Sequence, residues 1–214
     1  LVLSDLLEEK VQNYRNGMEK AFTKDQVEAF IENPWGDIQT DEFTLIEDDA
    51  AKAFEGFDDS LNLPGLLELS DAAADSLSKI TGGLTLSGLT KLSDSAAESL
   101  SKLTGGLTLS GVTKLSDSAL DSLSNLAGEM LDLSGLTELS DAGAESLSKY
   151  SGEIWLLKVT ELSETAAESL AKHDGHLNLL GLTKLSDNAA KNLSKHKGTL
   201  ILKGDIKELV EKFA

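Results

Sequence analysis

Leucine and small residues recur at a constant spacing along most of the chain. A segment that opens with L-x-L starts at Leu61 and restarts every 23 residues, with a single step of 24. The later segments begin at Leu84, Leu107, Leu131, Ile154, Leu177 and Leu200. Their shared pattern is L-x-L-x-G-L-T-x-L-S-D-x-A-A-x-S-L-S-K-x-x-G-x, in which the first leucine is position one. Repetition at such a period is typical of a solenoid, whose units are stabilised by their neighbours.

Each part of the pattern predicts a local structure. The alternation of L-x-L predicts a short strand with its leucines pointing inward. Serine and aspartate at positions ten and eleven predict the start of a helix, because serine caps free N–H groups and aspartate suits the positive end of the helix dipole. Alanine, alanine and leucine at positions 13, 14 and 17 share one helical face. Leucines at positions six and nine should fill the interior, and glycine at position 22 should end the helix.

These elements predict an α/β fold. We expect a right-handed solenoid with a short parallel sheet on the concave face and helices on the convex face. Residues 61–199 would hold six repeats, and residues 38–60 a degenerate repeat, since their apolar residues fall on core positions. Residues 1–37 would form a helical N-terminal cap, with one helix over residues 3–22 and a second that follows Thr23 and is closed by Pro34. Trp35 would plug the cap boundary, and residues 200–214 would form a C-terminal capping unit.

The segment "LTKLSDSAAESL" resembles a known family. It is similar to leucine-rich repeats, above all the short bacterial-type variants in which I-T-D-x-x-L follows the strand. The resemblance covers residues 61–204 and implies a solenoid, but it does not select a function, because leucine-rich repeats serve many unrelated roles. The chain differs from the family pattern because it has no L-x-x before L-x-L and no Asn or Cys ladder. Thr90, Thr113, Thr137, Thr160 and Thr183, at position seven, could form that ladder instead.

Charge and cysteine content exclude several functions. The net charge is −18, and residues 1–60 carry −11 of it, from 16 acidic against 5 basic side chains. Because a chain with this much negative charge repels phosphate backbones and anionic lipid surfaces, we expect no nucleic-acid partner. No apolar run is long enough to predict membrane insertion. With no cysteine, disulfides and thiolate metal sites are excluded, and the cellular compartment stays open.

The outward strand positions distinguish the later repeats from the earlier ones. In the repeats that start at Leu84 and Leu107 these positions hold only Gly, Thr and Ser. In the later repeats an apolar centre with a polar rim predicts a protein-binding surface. Its predicted residues are Met130, Asp132, Glu153, Trp155, Leu157, His176, Asn178, Leu180, Ile201 and Lys203. Two alternatives remain: Trp155 packs against the C-terminal cap, or the surface joins copies in a homo-oligomeric or structural scaffold.

The three histidines raise the question of a metal site. His173 and His196 both occupy position 20, and His176 lies three residues after His173. Together with Asp174 they could hold zinc, and a metal-dependent hydrolase is therefore a further alternative. The favoured interpretation is a helix-end contact, with His176 on the sheet side and no metal bound. No phosphate-binding loop or nucleophile motif occurs, so we predict no catalytic residues, no cofactor and no enzyme activity.

Overall fold

The computed structural model describes residues 20–34 and 36–214, and in these the strand–helix repeat is present throughout. The strands are β1 (Ala21–Phe22), β2 (Leu45–Ile46), β3 (Leu61–Asn62), β4 (Leu84–Thr85), β5 (Leu107–Thr108), β6 (Met130–Asp132), β7 (Glu153–Trp155), β8 (Leu177–Asn178) and β9 (Leu200–Ile201). The helices are α1 (Lys24–Glu32), α2 (Asp48–Ala53), α3 (Asp71–Leu77), α4 (Asp94–Leu100), α5 (Asp117–Leu123), α6 (Asp141–Leu147), α7 (Glu164–Leu170), α8 (Asp187–Leu193) and α9 (Gly204–Glu211). A 3₁₀ turn covers Thr40–Glu42.

Strands β3 to β9 form one parallel sheet. They lie side by side in chain order, and position one of each repeat pairs with position one of the next, as in Leu61 with Leu84 and Leu84 with Leu107. Each helix packs mainly on the helix of the next repeat. The protein is therefore an α/β solenoid of units of about 23 residues, and the predicted fold class is confirmed.

The six regular helices start where the Ser-Asp pair predicts. In each, the serine at position ten accepts a hydrogen bond from the backbone N–H three residues later, as Ser93 does from Ala96 at 3.0 Å. The same hydroxyl donates to the acidic residue at position eleven of the preceding repeat, as Ser93 does to Asp71 at 2.5 Å. The other five pairs are Ser70 with Asp48, Ser116 with Asp94, Ser140 with Asp117, Ser163 with Asp141, and Ser186 with Glu164. The serine therefore links repeats as well as capping helices.

The core lies between the sheet and the helices. Positions one, three, six, 13, 14 and 17 are almost entirely buried, as Leu109, Val112 and Ala119 show. The leucines at position nine differ from the prediction, because Leu92 and most of its equivalents are only partly buried. Leu162, at 7% exposure, is the buried exception. Position nine follows the end of the strand-side turn, so its side chain covers the edge of the core rather than its centre.

Glycine at position 22 has a different role from the predicted helix stop. The helices end at position 17, and the serine that follows is still right-handed at its C-cap. Instead, the backbones of adjacent repeats approach each other at position 22. A Cβ on Gly105 would lie 2.1 Å from the carbonyl oxygen of Gly82, and one on Gly128 would meet Gly105 in the same way. A side chain is therefore excluded by the neighbouring backbone.

The N-terminal part continues the repeat in weaker form. Strands β1 and β2 pair in parallel, with Phe22 opposite Ile46. Strands β1 and β2 form a separate two-stranded sheet. In the degenerate repeat at residues 38–60, Ile46 of β2 is at position nine, whereas the strands of the seven-stranded sheet lie near position one. The predicted helix over residues 3–22 lies outside the described residues except at its end, where Ala21 and Phe22 are strand rather than helix. The prediction for Trp35 also lies outside the described residues.

Helix α1 and the C-terminal unit close the two ends of the core. Thr23 and Gln26 form a capping box at the start of α1, and the buried Val27 belongs to the same hydrophobic core as Phe22, Phe43 and Phe54. At the other end, α9 begins three residues after β9 and buries Ile206 and Val210. Among the described residues, no helix has the length and apolar character that crossing a membrane requires.

Candidate protein-binding face

Trp155 occupies the middle of the predicted surface. It ends β7, and the parallel register places it between Asp132 of β6 and Asn178 of β8. Its side chain is partly exposed, so the tryptophan is neither sealed in the core nor fully in solvent. Its indole Nε1 is buried and has no hydrogen-bond partner among the described residues. Part of Trp155 is thus accessible to solvent, while its indole N–H is buried.

Two residues predicted to contact a partner are instead buried beside Trp155. Asp132 is 8% exposed and its carboxylate accepts the backbone N–H of Ser134 at 2.8 Å. Asn178 is 9% exposed and its side-chain oxygen accepts the backbone N–H of Leu180 at 3.3 Å. Short polar side chains commonly bond the backbone two residues on. The placement of Asp132 in an exposed polar rim was therefore wrong, and both residues support the turn after their strands.

The apolar part of the surface spans three adjacent strands. Leu157, Leu180 and Ile201 are each partly exposed, and Ile201 is directly opposite Asn178 in the pairing of β8 with β9. Neighbouring strands are about 4.8 Å apart, so these side chains and Trp155 lie near one another on the same side of the sheet. We call Trp155, Leu157, Leu180 and Ile201 the apolar patch.

Charged residues of opposite sign flank the apolar patch. At the start of the strands, Glu129 is exposed and Glu153 partly exposed, with Met130 paired to Glu153. At the far end, Lys158 and Lys203 are exposed. His176 is also exposed, at the beginning of β8. A partner that covers the patch would therefore meet negative charge at one edge and positive charge at the other.

The three histidines do not meet at one site. His173 is fully buried and His196 is half-buried; their rings are nearly parallel, with centroids 6.0 Å apart. One ring nitrogen of His196 is 3.2 Å from the carbonyl oxygen of Gly175, whereas His176 is exposed. Within residues 20–34 and 36–214, no group of three or more His, Cys, Asp or Glu side chains is arranged to hold a metal ion.

Burial changes the acid–base behaviour of the position-20 column. The pKa of His173 and that of His196 are lowered, mainly because burial removes water from the charged imidazolium. The pKa of Tyr150, in the preceding repeat, is raised because burial disfavours its phenolate and because Glu129 and Glu153 add negative charge nearby. Its hydroxyl donates a 2.6 Å hydrogen bond to the carbonyl oxygen of Gly128. The sequence predicted a helix-end contact at position 20, but it did not predict that the side chains there would be shielded from water.

Comparison with known proteins finds no family model and no curated protein that matches the chain.

Proposed function

We propose that the protein is a leucine-rich-repeat-like binding module that docks a protein partner on the apolar patch. The observation that carries this proposal is the run of partly exposed apolar side chains on three adjacent strands, in a sheet whose strands β4 and β5 present Thr and Ser at the same positions. Single exposed apolar residues are ordinary on protein surfaces, but a contiguous group that includes tryptophan is typical of an interface centre.

The partner that fits best is a protein segment with apolar side chains, basic residues at the end that meets Glu129 and Glu153, and acidic residues at the end that meets Lys158 and Lys203. The chain carries a net charge of −18, and Glu129 and Glu153 lie at one edge of the patch. Opposite charge steers association over distances up to roughly a Debye length, about 8 Å in physiological salt. The basic residues of the partner would face Glu129 and Glu153, and its apolar side chains would cover Trp155.

The repeats themselves provide matched control variants. Trp155→Thr gives position two the threonine that the repeats starting at Leu84 and Leu107 have there, as Thr85 and Thr108. Leu157→Ser likewise gives position four the serine of those repeats, Ser87 and Ser110. Both variants should therefore keep the fold, which circular dichroism and thermal melting would check. The control variant Thr85→Ala changes the same sheet face far from the patch.

The test combines cross-linking in the source cell with measured binding. A photoreactive amino acid is placed at residue 157 in one protein and at residue 87 in another. We expect a specific protein adduct from residue 157 alone. The adduct protein, once purified, should bind the parent chain, and Trp155→Thr should weaken binding about thirtyfold, since a central tryptophan contributes about 2 kcal/mol or more. Thr85→Ala should bind as the parent does.

Three outcomes would overturn the proposal. Identical adducts at residues 87 and 157 would mean that the patch has no special role. Unchanged binding of the purified adduct protein by Trp155→Thr would exclude Trp155 from the interface. An adduct made only of a second copy of the chain would instead support the self-associating scaffold.

A further inference from the structure

Position 20 of the repeats forms a column of side chains that changes character along the solenoid. In order, the column holds Ile80, Leu103, Leu126, Tyr150, His173 and His196. The first three side chains are buried and apolar. Tyr150 keeps a polar group in the column but satisfies it with the carbonyl oxygen of Gly128. The last two full repeats thus place imidazoles where earlier repeats place leucine.

His173 is held in a site that favours its neutral form. It is 0% exposed, and neither ring nitrogen has a hydrogen-bond partner among the described residues. A Cβ on Gly175 would lie 2.8 Å from Nε2 of His173, so the backbone closes tightly over the ring. A protonated imidazole has two N–H donors and a full charge. Burial of that charge is costly in a protein interior, and it outweighs the backbone groups of Tyr150 and His176, which favour the charged ring.

His196 extends the same arrangement into the next repeat. Its ring lies nearly parallel to that of His173, at an interplanar angle of 21° and a centroid distance of 6.0 Å. Its Nε2 is at hydrogen-bond distance from the carbonyl oxygen of Gly175, while its Nδ1 is buried without a partner. Two positive charges at this separation would repel each other, so protonation of one ring disfavours protonation of the other.

The charged groups around the two rings offer little compensation. Asp174 is exposed and makes no hydrogen bond to either ring in the described part of the chain. Tyr150, on the side of the preceding repeat, is uncharged over the range in which histidine titrates, and Glu129 and Glu153 act on Tyr150. On the outer surface, a depression beside the column is lined by Glu168, Lys172, Asp174, Lys195 and Lys197. Asp174 favours the charged form of both rings, but burial has the larger effect.

We propose that His173 and His196 form an acid-sensitive lock, which holds residues 154–214 closed while both rings are neutral and opens them when the rings take up protons. Solenoid repeats contact only their neighbours, so terminal units can open while the rest stays folded. Because burial lowers the pKa of both rings from its usual 6.5, the unfolded segment binds more protons than the folded one between pH 6.5 and the lowered pKa values. Stability of these repeats is therefore complete above pH 6.5 and declines as pH falls through the lowered pKa values.

Hydrogen exchange, resolved by peptide, tests the lock on the full chain at pH 7.5 and pH 5.5, after correction for the intrinsic effect of pH. We expect residues 154–214 to lose protection at pH 5.5, while residues 61–130 keep theirs. The double variant His173→Leu, His196→Leu restores the residues of Leu103 and Leu126 and should keep protection at both pH values. His176→Asn removes the exposed histidine and should behave as the parent chain does.

A uniform loss of protection along the chain would overturn the proposal, as would an equal loss in the double leucine variant. Should that variant fail to fold, proton NMR of the parent chain decides. The lock requires that His173 stay neutral as long as the amide signals of residues 154–214 are native. Titration of His173 in its ordinary range with those signals unchanged would refute the lock. Neither measurement depends on a partner at the apolar patch.

Discussion

The close approach at position 22 allows a direct comparison of two adjacent glycines. Gly105→Ala would put a Cβ 2.1 Å from the carbonyl oxygen of Gly82 and 2.4 Å from its carbonyl carbon. Gly106→Ala would put one no closer than 3.5 Å to any atom, the nearest being the carbonyl oxygen of Met130. Neither glycine has a positive φ, so alanine is conformationally allowed at both positions. The two variants therefore differ mainly in collision with the preceding repeat.

The expected difference between the variants can be estimated from this geometry. Ordinary contact begins near 3.4 Å, so the two backbones must separate by about 1.3 Å to accept Gly105→Ala. Overpacking of this kind costs about 1–3 kcal/mol, and the upper end applies because the obstacle is backbone rather than a flexible side chain. Alanine also restricts the unfolded chain, which stabilises either variant by about 0.4–1 kcal/mol. The net loss for Gly105→Ala is then about 2 kcal/mol, whereas Gly106→Ala should be neutral or slightly stabilised.

Urea denaturation followed by circular dichroism measures both free energies of unfolding. For a chain of this size, a loss of about 2 kcal/mol also lowers the melting temperature by about 4–8 °C. A second transition in Gly105→Ala would show that the collision uncouples the repeats on either side, and the two transitions would then be fitted separately. Equal stability of the two variants, within about 0.5 kcal/mol, would refute the role of glycine as the point of close approach.

Two further predictions concern hydrogen bonds between repeats. Ser116→Ala removes the cap on the N–H of Ala119, at 2.9 Å, and the hydrogen bond donated to Asp94, at 2.5 Å. Urea denaturation should therefore show that the free energy of unfolding falls by about 1 kcal/mol or more. The control is Ser118→Ala, at an exposed position of the same helix, and a similar fall in that variant would contradict a stabilising role for the serine-to-acid hydrogen bonds. In a Tyr14→Phe background, absorbance at 295 nm should show Tyr150 ionising well above the usual pKa of about 10 while the chain is folded, and near that value in urea. Because the pKa of Tyr150 is raised in the folded state, its contribution to stability is complete below pH 10 and is lost as pH rises further. Ionisation of Tyr150 near pH 10 in the folded protein would contradict its burial.

The repeat period carried most of the fold prediction. A strand of two inward leucines, a capped helix and a core of leucine and alanine each have a local signature, and 23-residue spacing forces equivalent residues into neighbouring repeats. The helix starts at the Ser-Asp pairs and the parallel register followed from that spacing alone. The N-terminal part was less predictable because its repeat is degenerate, and strand β1 occupies residues whose apolar spacing also fits a helix.

The candidate surface was only partly predictable for a related reason. Alternation along a strand determines which side chains leave the core, and it identified Trp155, Leu157, Leu180 and Ile201. It does not determine whether a polar side chain then points to solvent or bends to a nearby backbone N–H. The side chains of Asp132 and Asn178 instead accept hydrogen bonds from backbone N–H groups two residues on, because the turn after each strand places a donor within reach.

The sequence by itself determined the period, the secondary structure of each regular repeat and the inward or outward side of each strand residue, since these depend on neighbours close in the chain. Only the tertiary structure decided how one repeat touches the next. The serine-to-acid ladder and the close backbone approach at position 22 join residues 22 or 23 positions apart, and the buried ring of His173 lies beside His196, 23 positions along the chain. Their geometry depends on the separation and angle between stacked units, which no local pattern specifies.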